Sequence, residues 1–146
     1  ATNDNLILNI ETADRYVFVF NVTDLGAPTI GVFKEAFWGD TQVYIRGGMN
    51  GWGAVDMFEY QGEGVYTADI ELSAGSIEFK VASEDWSTVN LGNPNDAASN
   101  VVTPSEPKIL GASNNNLMIE VAESGLYEFK VSGPDGNAPT LTVTKK

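Results

Sequence analysis

Cysteine and histidine are both absent from the 146 residues of this sequence. Without cysteine the chain forms no disulfide bond and has no thiol nucleophile, although this absence does not identify the cellular compartment. Without histidine it lacks the commonest general base and the commonest zinc ligand. We expect no cofactor and no metal site. Calcium binding by the acidic Asp- and Asn-rich loops stays an open alternative, although no spacing in the sequence resembles a calcium-binding loop.

Basic residues and long hydrophobic runs are also scarce. Lysine and arginine total 8 against 20 aspartate and glutamate residues, which gives a net charge of −12. Phosphate groups are bound by basic surfaces, so this balance argues against nucleic acid and anionic membranes as partners. No apolar segment approaches the roughly 18 residues that a membrane-spanning helix needs. The hydrophobic content of 42% suffices for one core, so the composition predicts a soluble, secreted protein with a neutral ligand.

Six segments of the sequence alternate between apolar and polar side chains, as strands with one buried face do. These segments are 42–46, 65–72, 76–83, 116–121, 126–131 and 140–144. Turn sequences rich in glycine, serine and aspartate separate them, and no segment has a helical period. Short strands at this spacing predict an all-β fold, an antiparallel β-sandwich of immunoglobulin-like type.

The sequence also contains an internal repeat. Residues 3–34 align without a gap with residues 114–145, at an offset of 111 positions, and both copies contain an Ala-Pro-Thr triplet. A gapless repeat of this length is a strong signal of repeated structure. The last strands of the sandwich therefore occur twice and its earlier strands occur once. We predict that residues 1–34 are the C-terminal strands of a preceding repeat and that residues 35–146 form a complete module.

The two copies of the repeat differ on one face of a strand. The second copy has Glu128 and Lys130 at positions where the first has Val17 and Val19. A strand that is apolar on both faces is usually buried on both faces. We expect this second face of the N-terminal segment to pack on the complete module; the alternative is that a preceding module covers it.

Candidates for catalysis are few. Twenty acidic residues allow the carboxylate pair of a glycosidase in principle. Most of them lie in turns or at outward strand positions, which is typical of a solvated sheet surface. The sequence has no nucleophile elbow, no phosphate-binding loop and no cluster of metal ligands. We therefore expect a protein that is not an enzyme.

The tryptophans offer a binding surface instead. Trp38 lies beside Phe37 ahead of the first strand of the module, where a structural role is expected. Trp52 and Trp86 lie in loops with small and polar neighbours, "MNGWGA" and "SEDWSTVN". The alternation of the strand before Trp86 directs Lys80 outward, so a short reversal brings this lysine beside the indole.

Two exposed indoles and a lysine suit a neutral sugar polymer. An indole covers the flat apolar face of a pyranose, which contributes roughly 1 kcal/mol for ~50 Å² at ~25 cal/mol/Å². Lysine donates to sugar hydroxyls, and asparagine both donates and accepts. Two inclined indoles suit a curved chain such as an α-1,4-glucan, whereas a flat row suits cellulose. The sequence leaves that angle open.

The segments "VYIRGGMNGW", "SIEFKVASEDW" and "ILGASNNNLMIEV" carry a resemblance to a known family. Over about residues 41–145 the chain resembles the starch- and glycogen-binding modules, which include the glycogen-binding domain of the AMP-activated protein kinase β subunit. It is most similar to modules in tandem with bacterial pullulanase-type enzymes. The resemblance implies a monomer, secreted by a bacterium, that binds starch, glycogen, pullulan or maltooligosaccharides and is linked to a catalytic domain or further repeats.

The resemblance also implies a set of contact residues. The positions that match the family's glucose contacts are Trp52, Lys80, Trp86 and Leu110, with Asn115 or Asn114, and with Asn90 from the run "STVNLG". The extra asparagine in "SNNNL" leaves the register between the two neighbouring asparagines open.

Two other functions fit the same sequence. Immunoglobulin-like sandwiches also serve as spacers or adhesion domains without a ligand, because a fold does not by itself define a function. A module for a different neutral glycan would use the same aromatic stacking.

Overall fold

The computed structural model describes Ile7 and residues 15–24, 26–134, 136 and 138–146. This part of the chain contains thirteen β-strands and one short 3-10 helix, η1 (Gly48–Asn50). The strands are β1 (Tyr16–Asn21), β2 (Thr29–Lys34), β3 (Val43–Gly47), β4 (Asp56–Met57), β5 (Glu59–Gly62), β6 (Val65–Leu72), β7 (Gly75–Ser83), β8 (Asn90–Gly92), β9 (Lys108–Ile109), β10 (Gly111–Ala112), β11 (Leu117–Val121), β12 (Gly125–Ser132) and β13 (Thr140–Lys145). None of the described helical structure is long and apolar enough to cross a membrane.

Two antiparallel sheets form the body of the molecule. One has the order β10-β8-β7-β3-β4, and β11 pairs with the first half of β7. The other has the order β5-β6-β12-β13-β9. The prediction of an all-β antiparallel sandwich is therefore confirmed.

The core lies between these sheets and contains alternate side chains of the long strands. In β12, Tyr127, Phe129 and Val131 are buried, whereas the intervening Lys130 is exposed. Phe129 meets Phe79 of the opposite sheet edge to face, with ring centroids 5.4 Å apart. Burying one such ring contributes about 1.5–3 kcal/mol. The apolar alternation visible in the sequence is thus what joins the two sheets.

Trp38 has the structural role that the sequence predicts. It is buried, and its ring centroid lies 4.4 Å from that of Tyr66 and 5.8 Å from that of Phe58. Its backbone N–H donates to the Tyr66 hydroxyl at 3.2 Å. Burial raises the pKa of Tyr66, because the charged phenolate is poorly solvated there. Trp38 therefore belongs to the core and is not part of an exposed aromatic surface.

Five short strands are not predicted from the sequence, namely β4, β5, β8, β9 and β10. Each has only two to four residues, which is too few for an alternating pattern to show. They form because a longer neighbour offers its backbone groups, as β7 does to β8. This kind of pairing depends on the tertiary fold rather than on local periodicity.

The N-terminal strands β1 and β2 form a separate two-stranded sheet. Tyr16 pairs with Lys34 just as Tyr127 pairs with Lys145, and the remaining pairs of the two hairpins follow the same register. The sequence repeat is therefore a repeat of one strand pair, although residues 3–6 and 8–14 lie outside the described part. Val17 and Val19 are half-buried, and the packing of their face on the complete module stays a prediction.

Candidate functional site

Trp52 and Trp86 lie next to each other. Their ring centroids are 6.2 Å apart and their planes are inclined by 42°, and each side chain is half-buried. Trp52 follows η1 at the end of β3, and Trp86 lies in the turn after β7. In the antiparallel β3–β7 pair these are opposite ends of the sheet, so both loops fold back towards its middle.

Arg46 is the side chain over which the two loops meet. It neighbours the fully buried Ile45 on β3, so it lies on the outer face of the sheet. Its Nε donates to the Trp52 carbonyl at 2.9 Å, and its Nη1 donates to the carbonyls of Ser83 and Glu84 at 2.9 Å each. The guanidinium is buried, and it therefore forms the base of the site.

The Arg46 guanidinium also lies against the Trp86 indole, with Cζ 3.8 Å from the ring centroid. A cation over an indole face is attracted by the ring quadrupole, more strongly where water is excluded. One side chain therefore holds both tryptophan loops. The sequence alone does not identify Arg46 as a site residue. The signal that could have found it is a basic side chain, rare in this sequence, at an outward position next to the core residue Ile45.

Both tryptophans have left-handed backbone conformations, with φ of 66° at Trp52 and 58° at Trp86. Such a conformation costs a residue other than glycine about 1–2 kcal/mol. Backbone hydrogen bonds from Trp52 to Gly47 and from Trp86 to Ser83 help to hold these turns. Strained backbone of this kind often occurs at functional positions, and here it turns both indoles to the same side of the sheet.

Asp85 stabilises the turn around Trp86. Its carboxylate accepts hydrogen bonds from the hydroxyls of Ser83, Ser87 and Thr88 and from the backbone N–H groups of the last two. Because these donors favour the charged form, they hold the pKa of Asp85 well below its usual range. The turn is thus closed by its own side chains before any ligand binds.

The low pKa of Asp85 predicts a pH-dependent contribution to stability. The contribution is fully present above the ordinary pKa of 3.8 and is lost progressively as the pH falls towards the lower pKa of the folded state. We expect Asp85→Asn to lower the melting temperature at pH 7 and the difference from the unmodified chain to shrink below about pH 3.8. Thermal unfolding of both chains from pH 7 to pH 2.5 measures this, with Asp96→Asn in an exposed loop as control. A difference that does not change with pH would contradict the role of the carboxylate.

The predicted asparagines lie on β8 and in the loop after β10. Asn90 pairs with Ala82 at the end of β7, and its Nδ2 donates to Asn114 Oδ1 at 3.2 Å. Asn115 is exposed and donates to Asn95 Oδ1 at 3.0 Å. Asn114 is exposed as well, so both neighbouring asparagines present amide groups to solvent, and their register with the ligand stays a prediction.

Lys80 lies on the predicted outer face but is not solvated as expected. Only 4% of it is exposed, because β8 and the loop after β10 cover it. Its Nζ donates to the Ser113 carbonyl, and a Cβ at Gly92 would lie 3.1 Å from Lys80 Cε. This burial lowers the pKa of Lys80. The ammonium supports the loop that carries Asn114, and its burial leaves little surface for a direct ligand contact.

The predicted ligand contact of Leu110 stays a prediction, and in this structure the side chain is not accessible to a ligand. Leu110 lies between β9 and β10 and has no exposed surface. Its backbone N–H donates to the Pro139 carbonyl at 2.8 Å, which directs the apolar side chain into the core. Within the described ranges, no group of three or more acidic side chains is placed to hold a metal ion.

No protein-family model and no curated protein sequence matches this chain. Its fold is similar to that of AmyP-SBD in its ligand-induced structure, with a TM-score of 0.56 and 18% sequence identity. The alignment covers 99% of this chain and 96% of that chain. At this level of identity the likeness shows that the two chains share a fold.

Proposed function

We propose that this protein is a non-catalytic module that binds α-glucans, namely starch, glycogen, pullulan or maltooligosaccharides. The observation that carries this proposal is the inclination of 42° between Trp52 and Trp86, at a centroid separation of 6.2 Å. Successive rings of an α-1,4-glucan turn relative to one another, so two inclined indoles stack on neighbouring glucose units. A β-1,4-linked chain is flat and would suit coplanar rings.

The other predicted contact residues fit the same ligand class. The exposed amides of Asn114 and Asn115 donate to and accept from hydroxyl groups, and they carry no charge that a neutral sugar would have to desolvate. Lys80 contributes by holding the loop that presents them. AmyP-SBD, the starch-binding domain of similar fold, supports an α-glucan over other neutral glycans.

The site is open and has few strong contacts, which sets the expected affinity. Two or three stacks and hydrogen bonds, less the cost of association, give a dissociation constant of order 10 μM to 1 mM. A covalently linked amylolytic domain or further repeats would raise the avidity through effective concentration. We propose that the module serves in this way, in a protein secreted by a bacterium, to bring such an enzyme to its polysaccharide.

Calorimetric titration with maltoheptaose and cellohexaose tests the ligand class. We expect maltoheptaose to bind with one site per chain and cellohexaose to bind at least tenfold more weakly, because its flat chain meets only one of the two inclined indoles. Equal or stronger binding of cellohexaose would assign the site to another glycan. No retardation in a starch-containing native gel, together with no heat on titration, would make the protein a spacer.

A further inference from the structure

The β1–β2 hairpin has an exposed apolar face. Phe18 is 50% exposed, Phe20 is 70% exposed and Ile30 is 38% exposed. Phe18 pairs with Val32 and Phe20 pairs with Ile30, so these side chains lie together on one face of the two strands. Contiguous exposed apolar surface of this kind usually marks a contact with another part of a protein.

The repeat identifies what this face is. At the offset of 111 positions, Phe18 corresponds to Phe129 and Phe20 to Val131, both of which are fully buried in the complete module. Ile30 corresponds in the same way to Leu141, which also has no exposed surface. The exposed face of β1–β2 is thus the face that β12–β13 turn into the core.

The backbone of the hairpin matches its counterpart beyond the strand register. Glu35 N–H donates to the Arg15 carbonyl at 3.0 Å, as Lys146 N–H donates to the Leu126 carbonyl at 2.9 Å. The hairpin therefore repeats the backbone hydrogen bonding of β12–β13 as far as Glu35. It differs in its surroundings, because β12 also pairs with β6 and faces β7 across the core.

We propose that β1–β2 are the last two strands of a second sandwich of the same kind, whose equivalents of β3 to β9 come from a preceding segment homologous to residues 35–111. That segment would supply the equivalent of β6 at the edge of β1 and the equivalent of Phe79 against Phe18. A second copy of this chain would supply neither, because its own β6 and Phe79 are already used by β12 and Phe129. The proposal does not depend on the function of the Trp52–Trp86 site.

The test uses an extended chain, in which a second copy of residues 35–111 is added and the native 146 residues are unchanged. Residues 35–111 are placed directly before Ala1, so that the gapless repeat keeps its register through the junction. We expect a second complete module, in which amide hydrogen exchange in β1 and β2 slows by about two orders of magnitude or more relative to the 146-residue chain. The added segment also brings a second Trp52–Trp86 pair, so maltoheptaose stoichiometry rises from one to two per chain.

A double variant, Phe18→Asp with Phe20→Asp, is the matched control. In the 146-residue chain it should leave the melting temperature and maltoheptaose binding unchanged, because both side chains are exposed there. In the extended chain it should abolish the slowed exchange and return the stoichiometry to one. A second extended chain, with residues 112–145 in place of residues 1–34, shows whether two joined modules fold.

The proposal would be overturned if the second extended chain folds as two modules but amide hydrogen exchange in β1 and β2 of the first extended chain is unchanged. Concentration-dependent dimerisation of the 146-residue chain that is removed by the double variant would also overturn it, since a second copy would then be the occupant. Slowed exchange without any maltoheptaose binding would leave the proposal standing and would reject the glucan function alone.

Discussion

Replacing Trp52 or Trp86 by alanine is expected to weaken maltoheptaose binding about tenfold or more, which corresponds to ~1.4 kcal/mol. One lost stack removes roughly 1 kcal/mol of apolar burial. Aromatic contacts add about 0.5–1.5 kcal/mol beyond area, and the remaining indole loses the neighbour 6.2 Å away that completes the inclined surface. Titration calorimetry measures the affinity, and thermal unfolding shows whether each variant keeps the fold.

Tyr60→Ala is the matched control for the tryptophan variants. Tyr60 is an exposed aromatic residue on β5, in the opposite sheet, so its removal should leave maltoheptaose binding unchanged. Unchanged binding in both tryptophan variants would reject the site. A loss in only one of them would show that a single indole carries the stacking, and the inclination of the pair would then not explain glucan selectivity.

Replacing Arg46 by methionine is expected to reduce maltoheptaose binding more than tenfold and to lower the melting temperature. Methionine retains an apolar stem but leaves the carbonyls of Trp52, Ser83 and Glu84 without the donor that they now share. The Ser83 carbonyl keeps the Trp86 N–H as a donor, whereas the part-buried carbonyls of Trp52 and Glu84 lose the Arg46 donor. A fully buried acceptor without a partner costs about 1–3 kcal/mol, which is an upper bound for each of these two. The left-handed turns at the tryptophans then lose their common anchor, so we expect the two indoles to lose their fixed inclination.

The conservative variant Arg46→Lys separates charge from geometry. Lysine keeps the positive charge over the Trp86 ring, but its ammonium lacks the planar fork that reaches carbonyls on both loops. We expect intermediate affinity and a tryptophan fluorescence spectrum shifted towards that of exposed indole. Lys130→Met, at an exposed position of β12, is the control for removing a positive charge. Wild-type binding by Arg46→Met would show that the loops hold themselves.

Much of the fold could be predicted because its long strands obey simple alternation. In β12 the buried Phe129 and Val131 flank the exposed Lys130. This alternation can be recognised from the sequence of one strand, without knowledge of its partner strand. The sequence repeat likewise predicted that the strand pair β12–β13 has an equivalent near the N-terminus, which is β1–β2. The short strands were not predicted because two to four residues are too few to show a period. They are extended because they pair with a neighbouring strand.

The surroundings of the site residues could be predicted less completely than the strands, for one physical reason. Alternation correctly placed Lys80 on the outer face of the sheet, but an outer face is solvated only where no other segment crosses it. Here β8 and the loop after β10 cross it, so Lys80 is buried and bonded to Ser113. Leu110 was assigned by position within a resembling motif, and its burial depends on how β9 and β10 sit against the core.

The sequence by itself determined the strand pattern, the acidic composition without cysteine or histidine, and the presence of two tryptophans in loops of small and polar residues. The tertiary structure decided that Trp52 and Trp86 meet, that they incline by 42°, and that Arg46 holds them there. The physical reason is that the two loops leave opposite ends of the β3–β7 pair. The two loops meet because both contact the side chain of Arg46. The spacing of residues along the sequence does not predict this contact.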